Sequence, residues 1–311
     1  MFLSNMGLAA QQVIILYVIV AVGFLADRFG VFVQTTAKLS NNLLFYIVTP
    51  AVIIQSFLTM EFSEVTARAL LTAFICAVGT STLGVLLSLP FFNKCRDRAP
   101  IFKYAVAYGN MGYMALPLAN AVLGAEGVFF CSAGVIAFNI FSFTHGVWLM
   151  EHGEGEKSKF RLRTLILNPG VISVIIGLPL FVLSVRLPAV IRTPLDYVAS
   201  LNTPLAMLFF GTYIANTDLK SMFKGRENYL TAVLKLLVMP LVMLLVFRLC
   251  GISGTLLTAC IISASAPSAN NTVMFSAKYG KDTGTASKVV AFVSALSVIT
   301  MPFMIALAKS V

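Results

Sequence analysis

The sequence predicts an all-α polytopic membrane protein of ten transmembrane helices, built as two inverted five-helix repeats with broken crossing helices 4 and 9. Three observations predict this class. Of 311 residues, 59% are hydrophobic and only 11% charged, with a mean hydropathy of +0.92, which a water-wetted domain would not tolerate. Apolar runs of about 20 residues, enough to cross a roughly 30 Å hydrocarbon core, recur from one end to the other. The basic residues are sorted between alternate connections, as only a bilayer requires.

The runs fall at 8–26, 39–59, 67–91, 101–124, 127–150, 165–186, 195–216, 229–250, 254–278 and 285–308, leaving no room for a soluble domain. The first has no preceding basic region and no small-residue cleavage site before Asp27, so it reads as a span and not as a removable signal peptide. The second carries Thr49-Pro50. In the third, Thr80-Ser81-Thr82 sits between Gly79 and Gly84, small residues that let helices approach closely. The fourth contains GNMGYMALPLANAVLG, Gly109 to Gly124, too rich in Gly, Asn and Pro for an unbroken helix. The fifth holds Asn139 in an apolar run, then His145 with Trp148 and His152, read as an interfacial anchor. The seventh carries Thr203-Pro204. The eighth holds Lys235 about six residues, or roughly 9 Å, from its end, a depth from which lysine is expected to snorkel to the headgroups. The ninth is interrupted by Pro267-Ser268-Ala269-Asn270-Asn271, and the tenth closes the set.

Sixteen of the 22 Lys and Arg lie in the odd connections, among them Lys157, Lys159, Arg161, Arg163 and Lys220. Five lie in the even connections and the C-terminal tail, and Lys235 is the one within a span. The expectation is a multi-pass protein of the cytoplasmic (inner or plasma) membrane, with odd loops cytoplasmic and both termini outside. The net charge of +10 thus reflects topology and implies no nucleic-acid partner. Cys76, Cys95, Cys131, Cys250 and Cys260 show no paired spacing, so neither a disulfide framework nor a metal site is expected.

The prolines suggest the repeat. Pro50 to Pro117 spans 67 residues and Pro204 to Pro267 spans 63. Pro117-Leu118-Ala119-Asn120 pairs with Pro267-Ser268-Ala269-Asn270, and each segment then reaches a Gly followed two residues later by an acid, Gly124 with Glu126 and Gly280 with Asp282. Five spans per half is an odd number, so the second half enters from the opposite side. The expected division is 1–150 as first repeat, 151–164 as cytoplasmic linker and 165–311 as second repeat. Interrupted helices at matching positions point to a secondary carrier with its site at the repeat interface.

The chemistry available there is that of amides, hydroxyls and helix ends. All twelve acidic residues fall in connections or at span ends, so a carboxylate-based proton or cation relay is not expected. Half-helix N-termini offer N–H groups to an anion, and Asn110, Asn120, Asn270, Asn271, Ser265 and Ser268 surround the breaks, while Asn139 in helix 5 reads as a helix–helix hydrogen bond or a ligand contact. Met111 and Gly112 join them as candidate substrate contacts, Pro117 and Pro267 as the points where the helices break, and Thr49, Pro50, Thr203 and Pro204 as support. No resident cofactor is expected, although freed carbonyls leave a sodium ion open. An enzyme would need a convergent nucleophile and base, which two histidines without carboxylate partners do not supply. A ligand sensor on a carrier fold is the other rival.

NNLLFYIVTPAVIIQSF, GNMGYMALPLANAVLG, NTPLAMLFFGTYIA and ASAPSANNTVMFSAKYG, in this order, resemble the auxin efflux carrier family, and the likeness extends over essentially the whole chain. The resemblance implies a scaffold domain, a transport domain whose broken helices cross at their prolines, elevator-like movement and a possible homodimer through the scaffold. It also assigns Asn110 to the substrate carboxylate, with Asn139 a looser match. The long hydrophilic loop of plant members is absent, so auxin is a poor substrate expectation. A small carboxylate such as malate or malonate is the one carried over from bacterial members.

Overall fold

The computed structural model describes residues 2–151, 167–216 and 222–311. Most of the expected linker, with His152, Glu154, Glu156, Lys157, Lys159, Arg161 and Arg163, lies outside the described residues, as do Asp218 and Lys220. The described elements are helices, and the β-type pairing among them is a single antiparallel bridge. Five runs are long and apolar enough to cross a bilayer: Glu64–Ser88, Met111–Glu151, Ala189–Ala215, Arg226–Leu249 and Thr283–Ser310. The chain is a polytopic membrane protein.

Several expected boundaries move for local reasons. The fourth and fifth spans part where expected: the run from Met111 to Glu151 is two helices joined at Gly124, whose φ of +65° and ψ of −153° are not helical. That conformation is essentially closed to any residue with a β-carbon. Gly280 also takes a positive φ, +64°, after the Asn271–Lys278 helix. The sixth span shortens to Pro169–Val182, opened by Asn168, whose side chain accepts from the Gly170 N–H, with Pro169 in the first turn. The ninth divides into Gly254–Ser265 and Asn271–Lys278.

Three prolines disturb their helices only mildly. Wide, π-type turns at Leu44–Val48, Met111–Ala115 and Leu234–Val238 each end two residues before a proline, Pro50, Pro117 and Pro240. Proline lacks an N–H and its ring presses on the carbonyl one turn back. Widening that turn relieves the clash without ending the helix.

Two contacts fix the frame around the site. The Phe2–Arg28 and Asn202–Ala215 helices touch backbone to backbone: a β-carbon on Gly23 would stand 2.3 Å from Leu208 O, and one on Gly211 would stand 2.2 Å from Val20 O. Phe57, Phe129 and Phe181 interlock three further helices, with ring centroids of Phe129 4.9 Å from Phe57 and 5.0 Å from Phe181. The Gly79–Gly84 cluster behaves as packing: Thr80 and Thr82 donate back to Cys76 O and Val78 O, and Gly84 lies against Ala107 of the Ala99–Ala107 helix.

Candidate functional site

The Ala99–Ala107 helix stops before Tyr108, and the Gly254–Ser265 helix stops before Ala266. The two extended stretches that follow pair with each other. Asn110 N donates to Pro267 O at 2.7 Å, Ala269 N donates to Tyr108 O at 3.0 Å, and Gly109 faces Ser268 across the antiparallel bridge. Ser268 Oγ adds a buried bond of 2.7 Å to Ala105 O. Backbone groups freed by the breaks thus satisfy one another in the protein interior, as a nonpolar surround demands.

Pro117 is not at this crossing. It lies in the helix beyond Asn110, after the wide turn that accommodates it, and the chain crosses at Tyr108–Asn110 instead. Gly109 permits this because its missing β-carbon would stand only 3.1 Å from Ala266 O. Pro267 does lie at the crossing, its ring costing no donor that the pairing uses. The helix beyond each break opens on an asparagine, Asn110 in one and Asn270 in the other. Asn120, the sequence partner expected for Asn270, is therefore elsewhere, within the Leu116–Phe141 helix.

Beside the crossing is a cavity of about 700 Å³. Of the residues singled out from sequence, Asn110, Met111, Gly112 and Asn139 line it from one half, Asn270 and Asn271 from the other, and Thr49 from the second span. Pro50, Pro117, Asn120, Thr203, Pro204, Pro267 and Ser268 do not line it. Thr49 donates to Asn202 Oδ1 at 3.3 Å, joining the two Thr-Pro motifs' helices; Asn202 Nδ2 and Thr203 Oγ1 are buried without a protein partner.

The amides differ in what they have left to offer. Asn110 lines the cavity, and its Oδ1 accepts from Tyr113 N at 3.2 Å, capping its helix by an oxygen and not by its Nδ2 donors. Asn270 Oδ1 is buried with no partner among the protein atoms. Asn139 is partly engaged: its Nδ2 donates to Val135 O at 2.8 Å and its Oδ1 accepts from Asn168 Nδ2 at 3.0 Å, which uses one of its two N–H groups. Asn168 is a cavity residue that the sequence reading passed over, although Asn before Pro169 is a helix-start signal. Tyr113, Phe138, Phe143 and Phe209 supply aromatic wall that was equally unmarked. Among the described residues no Asp or Glu is buried.

Two readings of ionisable side chains change. Lys235 does not snorkel: it is 0% exposed, and its ammonium reaches inward, 3.1 Å from where a β-carbon on Gly109 would be. The wide turn at Leu234–Val238 faces the Ala99–Ala107, Gly254–Ser265 and Thr283–Ser310 helices, which directs the side chain to the crossing. His145 keeps its ring contact with Trp148 at 5.7 Å but also binds inward, its Nδ1 standing 2.8 Å from Tyr108 OH, so it braces the first residue of the break.

A second cavity of about 510 Å³ shares Phe209, Asn270 and Met274 with the first and is bordered by Lys288.

The comparisons agree with this architecture. Over 284 residues the chain is 26% identical to "Uncharacterized transporter MJ1031" of Methanocaldococcus jannaschii, covering 87% of this chain and 89% of that one. It is 25% identical over 281 residues to the "Putative malonate transporter" of Rhizobium meliloti, covering 87% and 86%. It is 23% identical over 306 residues to "Uncharacterized transporter YfdV" of Escherichia coli O157:H7, covering 94% and 96%. The family described as membrane transport protein matches residues 8–305, and the chain belongs to it, the auxin efflux carrier family: it is a transporter and not an enzyme.

Proposed function

We propose that this protein is a secondary carrier that moves a small organic anion across the cytoplasmic membrane by alternating access, with the carboxylate held at the cavity beside the crossing. The observation that carries the reading is the composition of that cavity: Asn110 and Asn270, at the N-terminal ends of two helices, line it, and among the described residues no buried carboxylate opposes an anion. An amide binds a carboxylate without the cost of desolvating a resident lysine.

In this reading the chain crosses the membrane ten times as two inverted repeats, 1–150 and 165–311, with both termini outside, and pairs as a homodimer through the scaffold. The cavity wall then comes from cytoplasmic parts of the second and fifth spans, Phe45 and Phe143 among them, so the state is inward-facing. Export needs no coupled ion, since an inside-negative potential supplies about 2.3 kcal/mol per charge per 100 mV. The name of the Rhizobium meliloti relative supports a malonate-sized dicarboxylate as first candidate.

The test is uptake of labelled malonate, malate, lactate and an indole acid into proteoliposomes, each competed with the others. Saturable flux of one carboxylate, competed by its near analogues, supports the reading. Specific binding without flux would replace it with a sensor, and flux only in a sodium or proton gradient would replace the uncoupled carrier with a symporter.

A further inference from the structure

We propose that the second cavity is the subsite for a second carboxylate, with Lys288 as the cation that receives it, so that the carrier prefers dicarboxylates to monocarboxylates. The inference rests on the carrier reading above and adds the residue that selects for a second charge.

The charges lining the two cavities differ. No residue lining the first cavity, of about 700 Å³, is charged. Its amides and hydroxyls can receive one carboxylate, but a dianion placed wholly among neutral groups keeps a second charge away from water and unpaired, which is costly. Of the residues lining the second cavity, of about 510 Å³, Lys288 is charged and none is acidic. Lys288 lies in the second turn of the Thr283–Ser310 helix and is partly buried, so its stem can pack while the ammonium keeps some of its water.

That ammonium is available. Among the described residues no Asp or Glu oxygen is within ion-pair distance of Lys288. Two carboxylates beside lining residues are engaged elsewhere: Asp282 accepts from the N–H and hydroxyl of Thr285, and Asp27 accepts from Asn216 Nδ2. A preference for lysine at this end of the helix does not by itself aim the side chain at a cavity. Lys278, at the end of the preceding helix, is exposed and lines neither one.

The two cavities share a wall of Phe209, Asn270 and Met274. Asn270 is the polar member of that wall, and its Oδ1 is buried with no partner among the protein atoms. A buried polar atom left unpaired marks a place for a ligand or a water. Met274 is flexible enough to yield to a passing carbon chain. A ligand with one carboxylate at Asn110 and its chain running past Asn270 therefore brings its other carboxylate into the cavity of Lys288.

The test separates the second charge from size. Malonate, succinate and glutarate are each compared with the half-amide of the same acid, which matches it in size and lacks one carboxylate. Affinities come from the ligand-induced rise in melting temperature of the purified protein in detergent, and flux is measured in proteoliposomes. Wild type is expected to bind at least one dicarboxylate about tenfold more tightly than its half-amide, the effect of one hydrogen bond between charged groups. Lys288→Met is expected to lose about tenfold for that dicarboxylate and to stay within about twofold of wild type for the half-amide, so the preference disappears. Lys288→Arg keeps the preference, and Lys278→Met leaves it unchanged. Lys288→Gln repeats the comparison if the methionine variant does not fold.

Equal affinity of wild type for dicarboxylate and half-amide at every chain length overturns the assignment, while leaving the single-carboxylate reading of the first cavity in place. So does a Lys288→Met that weakens both members of a pair alike, or one in which the preference survives. Binding without flux would sink the carrier reading instead, and the melting comparison would still decide the role of Lys288.

Discussion

Asn110 performs two jobs with two ends of one amide, and the two can be separated. Its Oδ1 caps the helix at Tyr113 N, 3.2 Å away, while Nδ2 is left for the ligand. Asn110→Ala removes both, costing about 1 kcal/mol of stability for the cap and about 1.5–3 kcal/mol of affinity for a hydrogen bond to a charged group. The affinity loss corresponds to roughly 10- to 100-fold in Kd. Asn110→Asp keeps a capping oxygen, but at a residue only 4% exposed it also buries a carboxylate without a cationic partner, so it should melt below wild type. It also replaces the donor with a negative charge facing the bound anion. Equilibrium binding of labelled malonate to purified protein, with melting curves in parallel, reads both quantities. The reasoning predicts that Asn110→Asp binds worse than Asn110→Ala. Wild-type affinity in Asn110→Asp would refute it, because no carboxylate could then be bound at that amide.

Other consequences follow from single positions. Gly211→Ala places a β-carbon 2.2 Å from Val20 O, backbone that cannot step aside, so the Phe2–Arg28 and Asn202–Ala215 helices must part; melting should show a loss of about 1–3 kcal/mol, the usual range for overpacking. Gly124→Ala meets no atom, yet φ +65° and ψ −153° should cost about 1–3 kcal/mol by strain alone, read as a lower melting temperature. Asp282 caps the Thr283–Ser310 helix at Thr285, whose hydroxyl and N–H bonds hold the carboxyl below its usual pKa. A carboxylate with a depressed native pKa stabilises above the unfolded value, near pH 4, and loses that contribution as pH falls through the native value. Asp282→Ala should therefore melt lower than wild type by about 1 kcal/mol at neutral pH, with the gap closing below about pH 4.

The membrane class and most helices were legible because hydropathy and the positive-inside pattern act over whole segments. The two breaks were legible as well, since GNMG and APSANN cannot continue a helix in hydrocarbon without help. Where the chains cross was not. Pro117 was expected at the crossing because proline is the strongest local signal of a break, but a wide turn at Met111–Ala115 absorbs it, and the break passes to Gly109, where closeness of approach decides. Lys235 was misplaced for a related reason. Its depth along the helix was readable, whereas the direction of its side chain depends on the turn at Leu234–Val238 and on which helices pack against it. Asn139 was legible as a polar residue bonding between helices, and its bond with Asn168 is of that kind, though which partner it takes is a tertiary fact.

The most direct test of the account is flux of its carboxylate in sodium-free proteoliposomes under a potassium-valinomycin potential of either sign. The account predicts net anion movement toward the positive side, reversing when the potential is reversed. Flux that is indifferent to the sign of the potential, or that vanishes without sodium, would contradict it.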